Sequence, residues 1–479
     1  MYFDVAGKIF KEENTEADKI AFVAADLAIS WSELKNLSDK ICETLDKAGV
    51  VKKHPVLVYG DKEAFFLAVI LSCYRMSLPF IPVNNSLPKN RIEKIIEQTQ
   101  SRVMIVCGNY ENVPEMPVIL KEDLSIYKKE IVNFSNVIDA AYILFTSGSS
   151  GEPKGVIISE DNLISFTKWF TKEFPVNKET VFINQASFLF DISLPDFFGT
   201  LQTGSTCIFN TNEITANTNL FFKRINTYKG NYWNSTPSFI TRCFADKNLN
   251  AENLPNITHF VLSGENLSIS LVKELKSRFP KAAVINAYGP TETTIYASFM
   301  EASDILLSED SLPICKADDT TIHLDDEEII ITGNVGIGYL NKDDLTKEKF
   351  ISYKNKRAFR TGDIAFVKNG YIYYSGRKDD QIKLNGYRIE LNEIKHALEC
   401  IDFIEQAECL PIVIDGKAKR LIAFVKTTEE INVPELKKIL EKELPIYMIP
   451  SEIIAQKEFP YTNSFKTDKQ KLMADYLSA

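Results

Sequence analysis

The sequence predicts an α/β fold, in which helices cover both faces of mainly parallel sheets, followed by a smaller α+β domain. Short apolar runs alternate with amphipathic helix patterns over about the first 370 residues, as they do in α/β proteins. Near residue 376 this alternation ends and a different pattern begins. The chain has 479 residues, more than one hydrophobic core usually supports, so two or more domains are expected.

The first well-defined element is a helix that begins after Ser30. Ser30 and Glu33 have the spacing of a capping box, in which two side chains satisfy backbone N–H groups at the helix start. Gly49 marks the predicted end of the helix. The apolar stripe between them consists of Leu34, Leu37, Ile41 and Leu45.

A second helix is predicted from the most apolar run, AFFLAVILSCY at 64–74, which Arg75 follows. The run is too short to cross a bilayer, so we expect a helix of the protein core. The N-terminus lacks the apolar segment of a secretion signal. These features predict a cytoplasmic protein without membrane insertion.

Four short apolar runs have the pattern of buried parallel strands, since each ends in a glycine or a polar turn residue. They are HPVLVYG, VMIVCG, AYILFTSG and AVINAYG. In open α/β sheets ligands bind beyond the carboxyl ends of the strands. The polar residues after AYILF and AVIN are therefore candidates for a binding site.

Composition argues against several functions. Fifty-five basic and 65 acidic residues give a net charge of −10, which does not favour binding to nucleic acids or anionic membranes. The eight cysteines form no CxxC pair, and the four histidines lack metal-ligand spacing. We therefore expect reduced, buried thiols rather than a zinc site or a disulfide framework.

Beyond GRKDDQIK the pattern is that of a small α+β domain of about 100 residues, a size at which a domain can form its own core. Leu391, Ile394 and Leu398 mark one helix face, and VPELKKILEKEL predicts a second helix with Pro434 near its start. AECLPIVI and RLIAFVK are predicted strands.

The segment YILFTSGSSGEPKG at 142–155 predicts a strand followed by a loop that holds phosphate. Its glycines let backbone N–H groups approach a ligand, its hydroxyls add donors, and Lys154 adds a positive charge. It differs from the common P-loop, because Gly155 stands where that motif needs Ser or Thr for magnesium. A flexible surface turn is the alternative.

Five segments in this order resemble the signature motifs of the adenylate-forming superfamily, which includes acyl-CoA synthetases, luciferases and adenylation domains of peptide synthetases. The resemblance covers nearly the whole chain. It implies a large N-terminal domain, 1–378, of stacked α/β sheets with a small β-barrel-like part, and a smaller, mobile α+β domain, 379–479. The segments are the loop at 142–155, NAYGPTETT at 286–294, FRTGD at 359–363, YSGRKDDQIKLNGYRIE at 374–390, and a lysine within TNSFKTDKQKL at 462–472.

The resemblance implies that the chain uses ATP and Mg²⁺. It assigns Asp363 to the ribose with Arg377 nearby, Thr291 to the α-phosphate, and Glu292 to the metal, which prefers oxygen ligands. The alternative for Asp363 is an Asx-type cap in a turn formed by RTGD. Lys154, Glu292 and Lys466 are the implied catalytic residues. The implied nucleotide-binding residues are Thr146, Ser147, Gly148, Asn286, Ala287, Tyr288, Gly289, Pro290, Thr291, Asp363, Tyr374, Ser375, Gly376, Arg377 and Lys466.

By the same resemblance, Lys466 contacts the substrate and stabilises the charge that builds in the transition state. Most members of the superfamily carry Asn-Gly before this lysine, whereas this chain has Ser464 and Phe465. Asp379 corresponds to the hinge about which the C-terminal domain rotates. A turn acid is the alternative for Asp379.

Asp191, in INQASFLFDISLPDFFGTL at 183–201, corresponds to the acid that amino-acid-activating members use to bind the substrate ammonium. A helix N-cap is the alternative. Ser263 would lie beside the substrate, and Ile295 would border its side-chain pocket.

Three segments carry a finer resemblance, namely NYWNSTPSF at 231–239, LSGENL at 262–267 and RFPKAAVINAYGPTETT at 278–294. They look most like those of the carrier-protein ligases that activate D-alanine for teichoic-acid esterification. The expected partners are a small amino acid and a carrier protein bearing phosphopantetheine. The alternatives are an acyl-CoA synthetase and a nucleotide-binding homologue with altered catalysis, the latter because of Ser464 and Phe465.

Overall fold

The structure is a computed structural model. It describes residues 15–108, 114–129, 137–148, 152–303, 311–414, 417–427, 429, 431–461 and 467–478. They form two compact units. The first comprises 1–84, 96–145 and 155–378, and the second comprises 85–95, 146–154 and 379–479. The loop predicted to bind phosphate therefore groups with the C-terminal segment.

The helices of the described residues are α1 Trp31–Lys47, α2 Ala64–Arg75, α3 Lys89–Thr99, α4 Glu160–Glu173, α5 Leu194–Thr203, α6 Asn212–Ala216, α7 Thr218–Thr227, α8 Pro237–Cys243, α9 Ile269–Arg278, α10 Asp343–Lys349, α11 Leu391–Glu399, α12 Val433–Leu440 and α13 Lys469–Ser478. Short 3₁₀ helices span Asp191–Ser193, Thr291–Thr293 and Ile446–Met448.

The strands are β1 Ile20–Val23, β2 Ala28–Ser30, β3 Val56–Tyr59, β4 Phe80–Val83, β5 Val103–Val106, β6 Val118–Lys121, β7 Ile126–Lys129, β8 Tyr142–Thr146, β9 Lys154–Ile158, β10 Val181–Asn184, β11 Thr206–Phe209, β12 Tyr232–Ser235, β13 His259–Leu262, β14 Ala283–Tyr288, β15 Ser298–Glu301, β16 Cys315–Lys316, β17 Ile322–Asp325, β18 Glu328–Thr332, β19 Gly338–Tyr339, β20 Phe350–Tyr353, β21 Lys356–Lys368, β22 Tyr371–Arg377, β23 Gln381–Leu384, β24 Tyr387–Glu390, β25 Ile404–Ile414, β26 Lys417–Thr427 and β27 Glu452–Ala455.

Two eight-stranded sheets form most of the first unit. One has the order β15-β14-β13-β12-β10-β11-β1-β2, parallel except at its two edge strands. The other has the order β19-β9-β8-β4-β3-β5-β6-β7. One continuous core contains residues of both sheets and of the helices α1, α2, α4 and α5. This arrangement confirms the predicted stacked α/β architecture.

A six-stranded antiparallel sheet completes the first unit, in the order β16-β22-β21-β18-β17 with β20 paired to β21. It corresponds to the part expected to be barrel-like. The segment FRTGD lies within the 13-residue strand β21, so its threonine and glycine do not form the turn that they suggest.

The second unit has the predicted α+β composition. Strands β25, β26 and β27 form one sheet, and β23 pairs with β24. Helices α11 and α12 pack with these strands around a separate core that includes Ile394, Leu398 and Leu436.

The two predicted N-terminal helices are confirmed, with local reasons for each. The Ser30 side chain accepts from the Glu33 N–H, and the Glu33 carboxylate accepts from the Ser30 N–H, so the capping box starts α1. Every residue of α2 is buried, as expected of a core helix. No helix among the described residues is long and apolar enough to cross a membrane.

All eight cysteines lie in the described residues, and each is a free thiol. Seven are buried, while Cys400 at the C-terminal end of α11 is exposed. Burial raises the pKa of the buried thiols, for example of Cys243 to about 12. These groups therefore stay protonated at neutral pH, as expected of structural thiols.

Candidate active site

Asp363 lies at the centre of a buried polar cluster in the first unit. Strands β21 and β22 pair Asp363 directly with Arg377, whose guanidinium donates to Asp363 Oδ1 at 2.5 Å. The Tyr288 hydroxyl donates to Oδ2 at 2.6 Å. Burial, together with the Asp363 charge, raises the pKa of Tyr288 well above its usual range, so the phenol remains a donor. The cluster thus brings Tyr288, Asp363 and Arg377 together, as the motifs predict.

The other predicted residues of this region occupy the end of β22. Ser375 donates to the Ile364 carbonyl, and Tyr374 packs against the core that contains Tyr288. Gly376 has a φ of +151°, a backbone conformation that residues with a Cβ rarely adopt. The glycine therefore allows the backbone conformation that directly precedes Arg377, the last residue of β22.

The segment at 286–294 leaves the carboxyl end of β14 and forms a tight turn. Asn286 and Ala287 lie in the strand, and the Asn286 side chain donates to the Pro313 carbonyl at 3.0 Å. A Cβ on Gly289 would lie 2.6 Å from the Ile295 carbonyl oxygen, so only glycine fits there. Pro290 caps the 3₁₀ helix that carries Thr291 and Glu292.

Glu292 is fully buried, and its Oε1 accepts a hydrogen bond from the Tyr339 hydroxyl at 2.7 Å. Within the described ranges no group of three or more His, Cys, Asp or Glu residues is placed to hold a metal. A metal here would take a single protein carboxylate and complete its coordination with substrate oxygens.

Asp191 is the first residue of the 3₁₀ helix Asp191–Ser193. The N-cap position belongs to Phe190, which makes no side-chain cap, so the N-cap alternative for Asp191 is not what the structure shows. Burial, with the Asp191 charge as a second cause, raises the pKa of Tyr142 well above its usual range. The charge of Asp191 is therefore part of the electrostatic environment of this phenol.

Ser263 and Ile295 are both buried, and Tyr296 links them. The Ser263 hydroxyl donates to the Tyr296 hydroxyl at 3.4 Å, and Tyr296 donates to Asn234 Oδ1 at 2.7 Å. Ile295 has a φ of +75°, which is strained for a β-branched residue. Sequence analysis missed Tyr296, although its position beside Ile295 could have indicated it.

The second unit contains the loop predicted to bind phosphate, and two carboxylates bind its donors. Lys154 Nζ lies 3.2 Å from Glu390 Oε1, and the Gly148 N–H donates to Glu393 Oε2 at 3.1 Å. Arg91 also pairs with Glu393, at 2.5 Å. The sequence did not indicate Arg91 or Glu393, while Glu390 was visible only as the last residue of GYRIE.

Hydroxyl groups of Thr146 and Ser147 add hydrogen bonds to backbone groups of the second unit. Ser147 Oγ donates to the Arg388 carbonyl at 2.9 Å and accepts from the Glu390 N–H at 3.2 Å. Thr146 Oγ1 donates to the Lys154 carbonyl at 3.5 Å. A Cβ on Gly148 would lie 2.0 Å from the Glu152 carbonyl oxygen, so glycine is required for this loop conformation.

Of the two remaining predicted residues, Lys466 and Asp379, the structure describes only Asp379. Lys466, with Ser464 and Phe465, lies outside the described residues. Asp379 is the first residue of the C-terminal segment of the second unit, and its Oδ1 accepts from the Gln381 N–H at 3.3 Å. It is exposed.

Comparisons with known proteins agree with the motifs. Residues 10–337 match the sequence profile of the AMP-binding enzymes. A D-alanine–D-alanyl carrier protein ligase of Bacillus licheniformis is 36% identical, over 97% of this chain and 98% of that protein. One of Bacillus cereus is 35% identical, over 96% of each. The crystal structure of the Vibrio cholerae adenylation domain AlmE with glycyl-adenosine-5′-phosphate has a TM-score of 0.86 at 20% identity, covering 99% of this chain and 97% of that one.

The profile matches most of the chain, and both ligases align with it almost from end to end. The AlmE comparison adds that the fold is that of an adenylation domain. From the motifs, the buried Asp363 cluster and these matches together, we conclude that the chain belongs to the family of AMP-binding enzymes.

Proposed function

We propose that the chain is an AMP-forming ligase that activates a small amino acid, with D-alanine as the first candidate, and loads it onto a carrier protein. The observation that carries the proposal is the hydrogen-bonded link from the turn of Asp191 through Asn234 to Tyr296 and Ser263, in the same unit as the Tyr288–Asp363–Arg377 cluster. The first is a candidate ammonium site and the second a candidate nucleotide site. Both ligase relatives are named for D-alanine and its carrier protein.

The reaction has two steps. A carboxylate oxygen of the amino acid attacks the α-phosphorus of ATP, and the bond to pyrophosphate breaks. The thiol of a phosphopantetheine group then attacks the acyl carbon of the adenylate, AMP leaves, and a thioester forms. The acceptor supplies the nucleophile, so no serine or cysteine triad is needed.

In this scheme the Asp363 carboxylate accepts hydrogen bonds from the ribose hydroxyls, oriented by Tyr288 and Arg377. Thr291 lies near the α-phosphate. Magnesium fits at Glu292, because Mg²⁺ is commonly held by one or two carboxylates together with substrate phosphates. When bound there, it would neutralise phosphate charge.

The donors of the phosphate loop have two possible partners, the carboxylates of the second unit and the phosphates of ATP. Lys154 and Gly148 bind Glu390 and Glu393 in the structure, and these same donors are the ones proposed for the ATP phosphates. Binding of ATP therefore requires that the carboxylates leave. The proposed rotation of residues 379–479 about Asp379, which would also bring Lys466 to the reacting groups, would carry Glu390 and Glu393 away from the loop at 146–154.

We assign separate sets of residues to the ammonium group and to the side chain of the amino acid. Asp191 pairs with its ammonium group, while Ser263, Ile295 and Tyr296 are buried side chains that would limit the room for its side chain. This arrangement favours a small amino acid over a long acyl chain.

The test is ATP–pyrophosphate exchange with the D and L enantiomers of alanine and serine, with glycine, and with propionate and benzoate as acids that lack the amine. We expect exchange with a small amino acid and little with either acid. Exchange that favours propionate or benzoate would indicate an acyl-CoA synthetase. Absence of exchange with every acid would indicate a nucleotide-binding homologue without this activity.

Asp191→Ala tests the ammonium role. We expect the KM for the amino acid to rise about 100-fold or more, because an ion pair in a partly buried site is lost, while the KM for ATP stays within about twofold. The same exchange assay measures both constants. Equal losses for amino acid and ATP would contradict the role.

A further inference from the structure

The turn that carries Asp191 has no cap of its own. Asp191–Ser193 is a single 3₁₀ turn, and the Phe190 N-cap offers no side-chain hydrogen bond. The next helix, α5, likewise begins without a side-chain cap at Ser193. Within the turn, the Ser193 hydroxyl donates to the Phe190 carbonyl at 2.8 Å, which defines the shape of the turn, while groups from neighbouring strands define where it lies.

Two asparagines from neighbouring strands supply these groups. Strands β10 and β12 are parallel neighbours, and the register Ile183↔Trp233 places Asn184 beside Asn234. Asn234 Nδ2 donates to the Ile192 carbonyl at 3.1 Å, and Asn184 Nδ2 donates to the Ser193 carbonyl at 3.0 Å. The two carbonyls are consecutive and directly follow Asp191.

Each asparagine also binds a second group. Asn184 Nδ2 donates to Asp196 Oδ2 at 3.0 Å, which joins the turn to the first turn of α5. Asn234 Oδ1 accepts from Tyr296, which joins the turn to the buried residues around Ser263. Both asparagines are at most 2% exposed, so water cannot readily replace either contact.

We propose that Asn184 and Asn234 are positioning residues that fix Asp191 where the substrate ammonium binds, and thereby set the preference for amino acids over acids without an amine. This inference rests on the proposed function. Hydrogen bonds from the Asn184 and Asn234 side chains to backbone carbonyls of the turn determine its height and orientation, and the direction of the Asp191 side chain follows from them. The same asparagine, Asn234, also orients Tyr296, so the ammonium site and the side-chain pocket are set together.

The test compares Asn184→Ala and Asn234→Ala with the wild type in pyrophosphate exchange with the preferred amino acid and with its analogue without the amine, for example D-alanine and propionate. The measured quantity is the ratio of the two kcat/KM values. We expect the ratio to fall about tenfold or more, since a displacement of about 1 Å at a reacting group can cost about 100-fold. The KM for ATP should stay near the wild-type value, because the Asp363 cluster is unchanged.

Asn210→Ala is the matched control. Asn210 is a buried asparagine at the same end of the sheet, but its side chain donates to the Asn184 and Ile208 carbonyls rather than to the turn. It should lose stability, as the other variants do, and keep the wild-type ratio. Thermal unfolding by circular dichroism identifies any variant that does not fold, and Asn184→Ser replaces Asn184→Ala in that case.

The outcomes separate the inference from the proposed function. If Asn184→Ala and Asn234→Ala keep the wild-type ratio, or lose no more of it than Asn210→Ala, the positioning role is wrong. If the wild type itself does not prefer the amino acid, or if Asp191→Ala keeps that preference, the proposed function is wrong instead.

Discussion

Asp196 shows how a single buried carboxyl can make stability depend on pH. It is fully buried one turn into α5, and burial raises the pKa of its carboxyl well above the usual range. Hydrogen bonds and the charge of Lys62 act in the opposite direction and are weaker. Lys62 is itself buried, and burial lowers its pKa to about 8. The folded protein therefore keeps Asp196 protonated to a higher pH than the unfolded chain does.

Asp196→Asn should accordingly change the pH dependence of stability. Above the pKa of the unfolded carboxyl, near 3.8, the folded protein holds a proton that the unfolded chain has released. The free energy of unfolding contributed by Asp196 therefore falls as pH rises towards the raised pKa of the folded state. Asparagine has no such proton, so the variant should gain stability relative to the wild type as pH rises above about 4.

Urea unfolding of both proteins across this pH range measures the difference. The exposed Asp344→Asn is the control for the exchange of aspartate for asparagine on the surface. If the difference between Asp196→Asn and the wild type is constant, Asp196 is ionised in the folded protein and the expectation is wrong.

At the scale of elements, a carboxylate pairs with the lysine of the loop that is proposed to bind the phosphates of ATP. Lys154 is mostly buried, and Glu390 is the carboxylate that balances its charge. Gln381 donates a further hydrogen bond to the same Glu390 oxygen at 2.5 Å. Lys154 is therefore charge-balanced, but in this arrangement it is not available to a phosphate.

Lys154→Ala and Glu390→Gln should therefore have opposite effects on ATP binding. Lys154→Ala removes a phosphate contact and should raise the KM for ATP about tenfold, since hydrogen bonds to charged groups contribute about 1.5–3 kcal/mol. Glu390→Gln removes the competing charge and should lower that KM. Pyrophosphate exchange at varied ATP concentration measures both.

The exposed Glu441→Gln serves as the control for loss of a negative charge. If Glu390→Gln raises the KM for ATP, the carboxylate supports the loop for ATP binding instead of competing with the phosphates. If Lys154→Ala leaves exchange unchanged, the lysine does not belong to the site.

Elements whose causes are local could be predicted from the sequence. The capping box at Ser30 and the strand that ends at Thr146 depend on neighbouring residues, and both are found where expected. The pairing of Arg91 with Glu393 joins residues 302 positions apart, and nothing in the local pattern indicates it. Asp363 is intermediate, because the motif identified it whereas the local Thr-Gly pattern suggested a turn instead of a long strand.

At the scale of the whole molecule, Asp379 marks where the chain leaves the first unit for the second. A hinge at this position must change its backbone dihedrals between the two half-reactions. Proline fixes φ near about −65° and removes the backbone N–H. A proline here should therefore restrict the chain to one of its arrangements.

Asp379→Pro should consequently separate the two half-reactions. We expect one of them, adenylate formation or thioester transfer, to stay within about threefold of the wild type while the other falls about tenfold or more. Pyrophosphate exchange measures the first and loading of a carrier protein measures the second. Asp379→Ala, which keeps the backbone free to move, is the control, and equal effects of proline on both steps would contradict a hinge.

The distribution of thiols offers a way to follow such a movement directly. Because Cys400 alone is exposed and the other seven thiols are buried and protonated, a maleimide dye should attach at a single place without any cysteine having to be removed. That place lies at the end of α11, two turns from the carboxylate that binds the phosphate loop. The fluorescence of a dye at Cys400 would report on movement of the second unit in real time, and no mutation would be needed to attach it.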